Sequence, residues 1–204
     1  MLDAILIQQC ADPSVPPAII EQFIEVAGSP DPLAVTVKSG GRLILVPKAK
    51  TPEEAMETVR VHIGHAVVRV GLTQFPAGVG IKDASELKPT LVDACENLRM
   101  GTRMFAKIMR IVARWYGDPK DKSVLPQVFD DAVHAWKTGE FEGTAVFQAP
   151  DPGTGWRIGG GSALAEEMQE PESDAQEAPN ERLDPEADIG QSGIRIDLSR
   201  IGGN

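Results

Sequence analysis

Long apolar runs are missing from this 204-residue chain. None approaches the roughly 18 residues that cross a bilayer. Basic residues are missing from the start: the first Lys or Arg is Lys38, and Asp3 stands near the N-terminus. The basic n-region of a secretory signal is therefore absent, which predicts a cytoplasmic chain or a precursor that begins further upstream. Cations are in deficit overall, with 20 Lys and Arg against 30 Asp and Glu and a formal charge of −10. Phosphate attraction needs a Lys/Arg surplus, so no direct nucleic-acid partner is expected. Histidines are few. His62 and His65 stand three apart on a predicted helix, with no third ligand nearby and no His-Glu-x-x-His pattern, so no metal is expected. Gly159-Gly160-Gly161-Ser162 lacks the Lys and the flanking strand and helix of a phosphate loop; it reads as a linker, and no cofactor is expected. Cysteines number two, Cys10 and Cys95. Composition leaves open two reduced thiols or one disulfide.

The acidity is unevenly placed. Residues 151–204 carry 12 Asp and Glu against 4 Arg, which leaves the remainder nearly neutral. From Ala149 the composition shifts to Pro, Gly, Glu and Asp, too poor in apolar residues to repay chain entropy. The predicted organisation is a folded domain over 1–148 and an acidic, mostly disordered tail over 149–204. Within the tail, Ile194, Ile196 and Leu198 alternate, the pattern of a docking strand or of a loose end.

The domain reads as mainly α, in the α+β class. A first helix is expected from Val15 to Ala27, with Ser14 as cap, Pro16 and Pro17 in the first turn, and Ile19, Ile20, Phe23 and Ile24 on one face. Leu33–Val37 and Arg42–Val46 flank Ser39-Gly40-Gly41 as a β-hairpin. Thr51-Pro52-Glu53-Glu54 forms a capping box opening a helix to about His65. A loop with Gly71, Pro76, Gly78 and Gly80 follows. Asp93 opens the longest helix, whose stripe of Leu98, Met104, Ile108, Ile111, Val112 and Trp115 runs to Gly117, with Met100 and Met109 read as core. A last helix spans Ser123 to Thr138, closed by Gly139, and Thr144–Phe147 reads as a short strand.

Four segments, in this order, resemble the lysozyme-like lytic transglycosylases attached to type IV secretion and conjugation systems. LIQQCADPSVPPAIIEQFIEVAGSPDPLAV (Leu6 to Val35) resembles that family's opening, where Cys-Ala precedes a helix ending in Glu-Ser. VGLTQ (Val70 to Gln74) is similar to its Gly-Leu-x-Gln. VDACENLRMG (Val92 to Gly101) resembles Phe-Asp-Pro-Cys-x-Asn-Leu-x-x-Gly. AVHAWKTGEFEG (Ala132 to Gly143) resembles Ala-Leu-Ser-Ala-Tyr-Asn-Thr-Gly. Within that group the chain looks most like the TraH-type conjugal transfer proteins. The resemblance implies a lysozyme-like fold with a sugar-binding cleft, a cell-envelope location, peptidoglycan strands or channel proteins as partners, and a Cys10–Cys95 disulfide. It also implies cleft positions at Gly71, Gln74, His134, Trp136 and Lys137.

The same resemblance exposes a gap. Glycoside cleavage needs a proton on the leaving oxygen, usually from a carboxylic acid. The family's Glu falls on Ala27 and its Ser on Gly28. Glu25 lies about 200° around the helix from Ala27, and Glu21 and Asp31 do not map to the spot. General acid catalysis contributes roughly 10²–10⁴-fold. Tyr and Asn of the family motif become Trp136 and Lys137; Trp136 either stacks on a sugar face or belongs to the core. The expectation is a non-catalytic, transglycosylase-like accessory protein of conjugal transfer. The alternatives are an active enzyme with a relocated acid, such as Glu21, and a cytoplasmic adaptor.

Overall fold

The computed structural model describes residues 3–153 and Trp156. The chain divides into two units, Met1–Glu170 and Pro171–Asn204. The second unit lies outside the described residues, as do the expected linker Gly159–Ser162 and the alternating segment ending at Leu198.

The fold is α+β. Helix α1 (Ala4–Cys10) opens it, with Asp3 accepting from the Ile5 N–H. Its seven residues are too few for helical periodicity to show in sequence. Helix α2 (Pro17–Ala27) buries Ile19, Ile20, Phe23 and Ile24 as expected. Ser14 is not its cap: Pro16 holds that position without a side-chain bond, and the Ser14 hydroxyl donates to Asp12 at 2.6 Å.

The sheet is larger than a hairpin. Strands β1 (Val35–Ser39), β2 (Arg42–Ile44), β3 (Val67–Val70) and β4 (Phe75–Pro76) order as β2-β1-β3-β4. All neighbours are antiparallel, with Val37 opposite Ile44, Val35 opposite Val70, and Arg69 opposite Pro76. The sequence shows β3 as loop because it does not alternate: Val68, Arg69 and Val70 are buried in succession. An Arg inside so short a run hides the strand.

Helix α3 (Pro52–His62) begins at Thr51, whose hydroxyl accepts from the Glu54 N–H at 3.3 Å. The Glu54 carboxylate reaches back one residue beyond the cap, to the Lys50 N–H at 2.7 Å. The helix stops at His62, earlier than expected, and Gly64 takes a φ of 82°. Helix α4 (Ala94–Trp115) starts as predicted, with Asp93 accepting from the Glu96 N–H at 2.8 Å. Leu98, Phe105, Ile108, Met109 and Val112 are buried, Met100 and Met104 half-buried. Trp115 departs from the expected inward stripe and is 58% exposed. The last turn carries it away from the core, edge-on to Tyr116 and Phe141. Helix α5 (Leu125–Thr138) follows a short 3₁₀ turn that takes up Ser123, and ends on Gly139 at φ 87°. Strands β5 (Glu140–Phe141) and β6 (Thr144–Ala145) close a small hairpin.

Phe23 of α2 stacks on Phe105 of α4 at 4.0 Å, and Trp136 of α5 meets Phe23 edge-on at 5.1 Å. Cys10 and Cys95 are joined as a disulfide with Cα atoms 5.1 Å apart, tying α1 to the first turn of α4. Beyond Ala149 the chain still packs on α4. The Lys107 ammonium donates to the carbonyls of Phe147 and Ala149, both at 3.0 Å. Arg110 grips the Asp151 carboxylate with two nitrogens. The buried Trp156 donates its indole N–H to the Pro119 carbonyl at 3.1 Å.

Candidate functional site

The turn Gly71–Gln74, between β3 and β4, is clamped from two sides. Asn97 of α4 is fully buried and uses both ends of its amide. Its oxygen accepts from the N–H and hydroxyl of Thr73, both at 2.9 Å, and its NH₂ donates to the carbonyls of Val70 and Leu91 at 2.9 and 2.8 Å. Gly71 has φ 74°, and a Cβ there would lie 2.4 Å from the Asn97 amide. On the other side the end of α2 abuts Leu72: a Cβ on Gly28 would sit 2.3 Å from the Leu72 carbonyl oxygen. The turn is therefore held rigidly, and Gln74 follows at φ 51° with its amide donating to the Gly71 carbonyl at 3.0 Å. A left-handed non-glycine conformation is uncommon and persists only where packing over-determines it.

Gln74 borders a hollow of about 230 Å³ with Ala27, Gly28, Arg69, Trp136 and Lys137. Four positions singled out in the sequence thus meet: Ala27, Gln74, Trp136 and Lys137. Gly71 lies beneath, packed on Asn97. His134 is elsewhere, bordering a second hollow of about 460 Å³ with Trp115, Tyr116, Asp131, Glu140 and Glu142. Among the described residues no Asp or Glu lines the Ala27 hollow. Glu21 and Glu25 are exposed and take no part in it. Asp31 is spent on the Leu33 N–H and on Lys48 at 3.1 Å, and both interactions hold its carboxyl below the usual range.

Trp136 offers no face to a sugar. It is 0% exposed, enclosed by Phe23, Phe75, Phe105 and Phe147. Sugar stacking needs an open ring, so of the two readings of this residue the core reading describes the structure. Among the described residues its indole N–H has no acceptor. That is unusual for a buried donor.

Arg69 was not singled out in the sequence, although a lone Arg inside Val67–Val70 was the available signal. It is 9% exposed. Its guanidinium donates to the carbonyls of Gln74 (3.1 Å), Trp136 (2.5 Å) and Lys137 (3.1 Å). The last two belong to the final turn of α5, whose carbonyls lack intrahelical partners and carry the negative end of the helix dipole. Arg69 also lies 5.8 Å from the Trp136 ring centroid and 5.7 Å from that of Phe147, within cation–π range. Burial pushes its pKa down to about 10, so it remains a cation at neutral pH.

Lys38, Arg69 and Lys137 border both the Ala27 hollow and a larger open groove of about 1050 Å³. Arg60, His65 and Lys82 add to the groove, and among the described residues its one carboxylate is Asp83. Asp83 caps its own 3₁₀ turn through the Ser85 N–H. The cleft is cationic on a chain that is acidic overall. Among the described residues no group of three or more His, Cys, Asp or Glu is placed to hold a metal ion, and no helix is long and apolar enough to cross a membrane.

No solved structure matches this chain. The lysozyme-like fold and the transglycosylase identity expected from sequence find no support among the matches. The chain is 60% identical, over the whole length of both proteins, to the uncharacterized protein y4dP of Sinorhizobium fredii (strain NBRC 101917 / NGR234). The TraH_2 family model matches residues 1–203. The chain therefore belongs to the TraH_2 family, a TraH-type conjugal transfer family.

Proposed function

We propose that this chain is a non-catalytic accessory protein of conjugal DNA transfer that works by binding, through the cleft at the end of α2. The observation that carries this reading is the lining of the Ala27 hollow: Lys38, Arg69 and Lys137, with no carboxylate among the described residues. A glycosidase-type reaction needs a proton donor there, and three cations would hold any nearby carboxyl ionised and unfit to donate. Family membership supplies the setting, conjugal transfer.

Of the two partner classes the sequence suggests, the cleft favours a component of the transfer machinery over glycan strands. Sugar hydroxyls seek an open aromatic face and acceptor groups, whereas the cleft has Trp136 sealed in the core and Lys and Arg at its rim. The test is transfer frequency from donor cells lacking the chain. Loss of transfer, restored by the wild-type chain but not by a Lys38→Glu, Lys137→Glu double variant of equal abundance, is expected. Undiminished transfer from the deletion strain overturns the role.

A further inference from the structure

We propose that the groove bordered by Lys38, Arg60, Arg69, Lys82 and Lys137 is a docking site for an acidic peptide segment of a partner protein. The role in conjugal transfer is a separate matter, since the groove's charge stands whatever process the chain serves.

The charge is locally concentrated. Five Lys and Arg face one Asp across the groove, on a chain with a formal charge of −10. Among the described residues Lys38, Lys82 and Lys137 form no ion pair, and Asp83 is engaged by its own turn. Arg60 has only a long contact of 3.5 Å to Glu57. Structural cations usually have anionic partners; among the described residues Lys38, Lys82 and Lys137 have none. The floor is built rather than incidental. Arg69, nine-tenths buried, has carbonyl partners but no carboxylate, so the α5 dipole offsets only about half a charge. That leaves a net positive charge at the groove, which favours an anionic ligand.

The size and lining select among anions. At about 1050 Å³ the groove is at the upper end of pocket volumes that hold small ligands, so a peptide segment fills it better than a single small ion does. Single-stranded nucleic acid is gripped by base stacking on aromatic platforms, and among the described residues Phe147 is the one Phe, Tyr or Trp at the groove. Carboxylate side chains spaced along a peptide match spaced Lys and Arg without needing an aromatic platform.

Fluorescence anisotropy of a labelled hexaglutamate peptide, titrated with the full chain at low salt, tests the site. Saturable binding is expected, absent for hexaglutamine. It should weaken by roughly tenfold or more in Lys38→Glu, Lys137→Glu, and by a smaller factor in Lys38→Gln, Lys137→Gln, because added salt and lost charge both act through the same screened attraction. Both positions are exposed, and matched circular dichroism spectra check the fold. The proposal is overturned by absence of saturable binding, by equal affinity in wild type and both variants, or by a single-stranded oligonucleotide or inorganic phosphate binding more tightly than the peptide. Transfer frequency is read separately, so failure of this site and failure of the conjugal role are distinguishable.

Discussion

Arg69 donates to the carbonyl of Trp136 at 2.5 Å while its guanidinium lies 5.8 Å from the same residue's ring centroid. One side chain thus closes the end of α5, joins that helix to β3, and places a fixed cation between two hollows. The arrangement couples fold to surface chemistry: the charge that lines the cleft is the charge that holds its walls together.

Removal of that side chain should therefore be costly. Arg69→Ala leaves the carbonyls of Gln74, Trp136 and Lys137 without their donor. Hydrogen bonds to a charged group contribute about 1.5–3 kcal/mol each, with buried orphans adding to the loss, so a destabilisation of about 3 kcal/mol or more is expected from urea unfolding midpoints. Arg69→Lys keeps the charge but not the fork, and should fall between. A midpoint within error of wild type for Arg69→Ala would remove Arg69 from its structural role.

Asn97 is the second test of the fold. Its four hydrogen bonds tie the Gly71–Gln74 turn to α4. Asn97→Leu should cost about 3–4 kcal/mol, within the range for breaking a buried network. Asn97→Asp should be comparably damaging, since an oxygen would then face the carbonyls of Val70 and Leu91. Hydrogen exchange at the Thr73 amide should accelerate in both; an unchanged rate would contradict the clamp.

The fold was partly legible in sequence, and the limits have physical causes. Helices α2, α3, α4 and α5 announce themselves through the Ile19–Ile24 face, the Thr51 and Asp93 caps and the Gly139 stop. Strand β3 does not, because burial of Arg69 breaks the alternation that marks a strand. Four positions that the sequence draws attention to, Ala27, Gln74, Trp136 and Lys137, border one hollow, but the chemistry of that hollow was not legible. A sequence does not reveal that Trp136 is sealed by four Phe rings, that His134 faces a different hollow, or that Lys38 from β1 arrives beside Lys137 from α5.

The disulfide between Cys10 and Cys95 spans 85 positions. Disulfides typically stabilise by about 2–4 kcal/mol, and chain entropy puts a loop of that length at about 4–5 kcal/mol. Cys10→Ser, Cys95→Ser should lower the unfolding midpoint accordingly and loosen α1 first, read by exchange of the Ile7 and Ala11 amides. Thiol labelling of the protein taken from its native compartment gives the redox state there, and quantitative labelling would mean the bridge does not form in that compartment.

The segment beyond Phe147 should loosen in acid. Arg110 holds the Asp151 carboxyl below its usual range, chiefly through the direct hydrogen bond. A carboxyl depressed in the folded state adds stability above its unfolded value, and that stability is lost as pH falls through the folded value; the window lies below about pH 4. Half-exposure of Asp151 and solvent screening keep the effect small. Exchange at the Gly153 amide, which donates to Asp151, should rise on acidification in wild type and be already raised at neutral pH in Asp151→Asn. Identical profiles in the two proteins would count against the contact.

Incubation of the purified full chain with peptidoglycan sacculi, followed by mass spectrometry of the soluble products, tests the proposed lack of catalysis directly. Lys38, Arg69 and Lys137 border the hollow at Ala27, the position to which the sequence resemblance assigns the proton donor, and a Ser at Gly28 would collide with the Leu72 carbonyl. The account predicts no anhydro-muropeptides above the protein-free control, for the wild type and for Ala27→Glu alike. Anhydro products that accumulate with protein concentration and disappear on heat denaturation would contradict it.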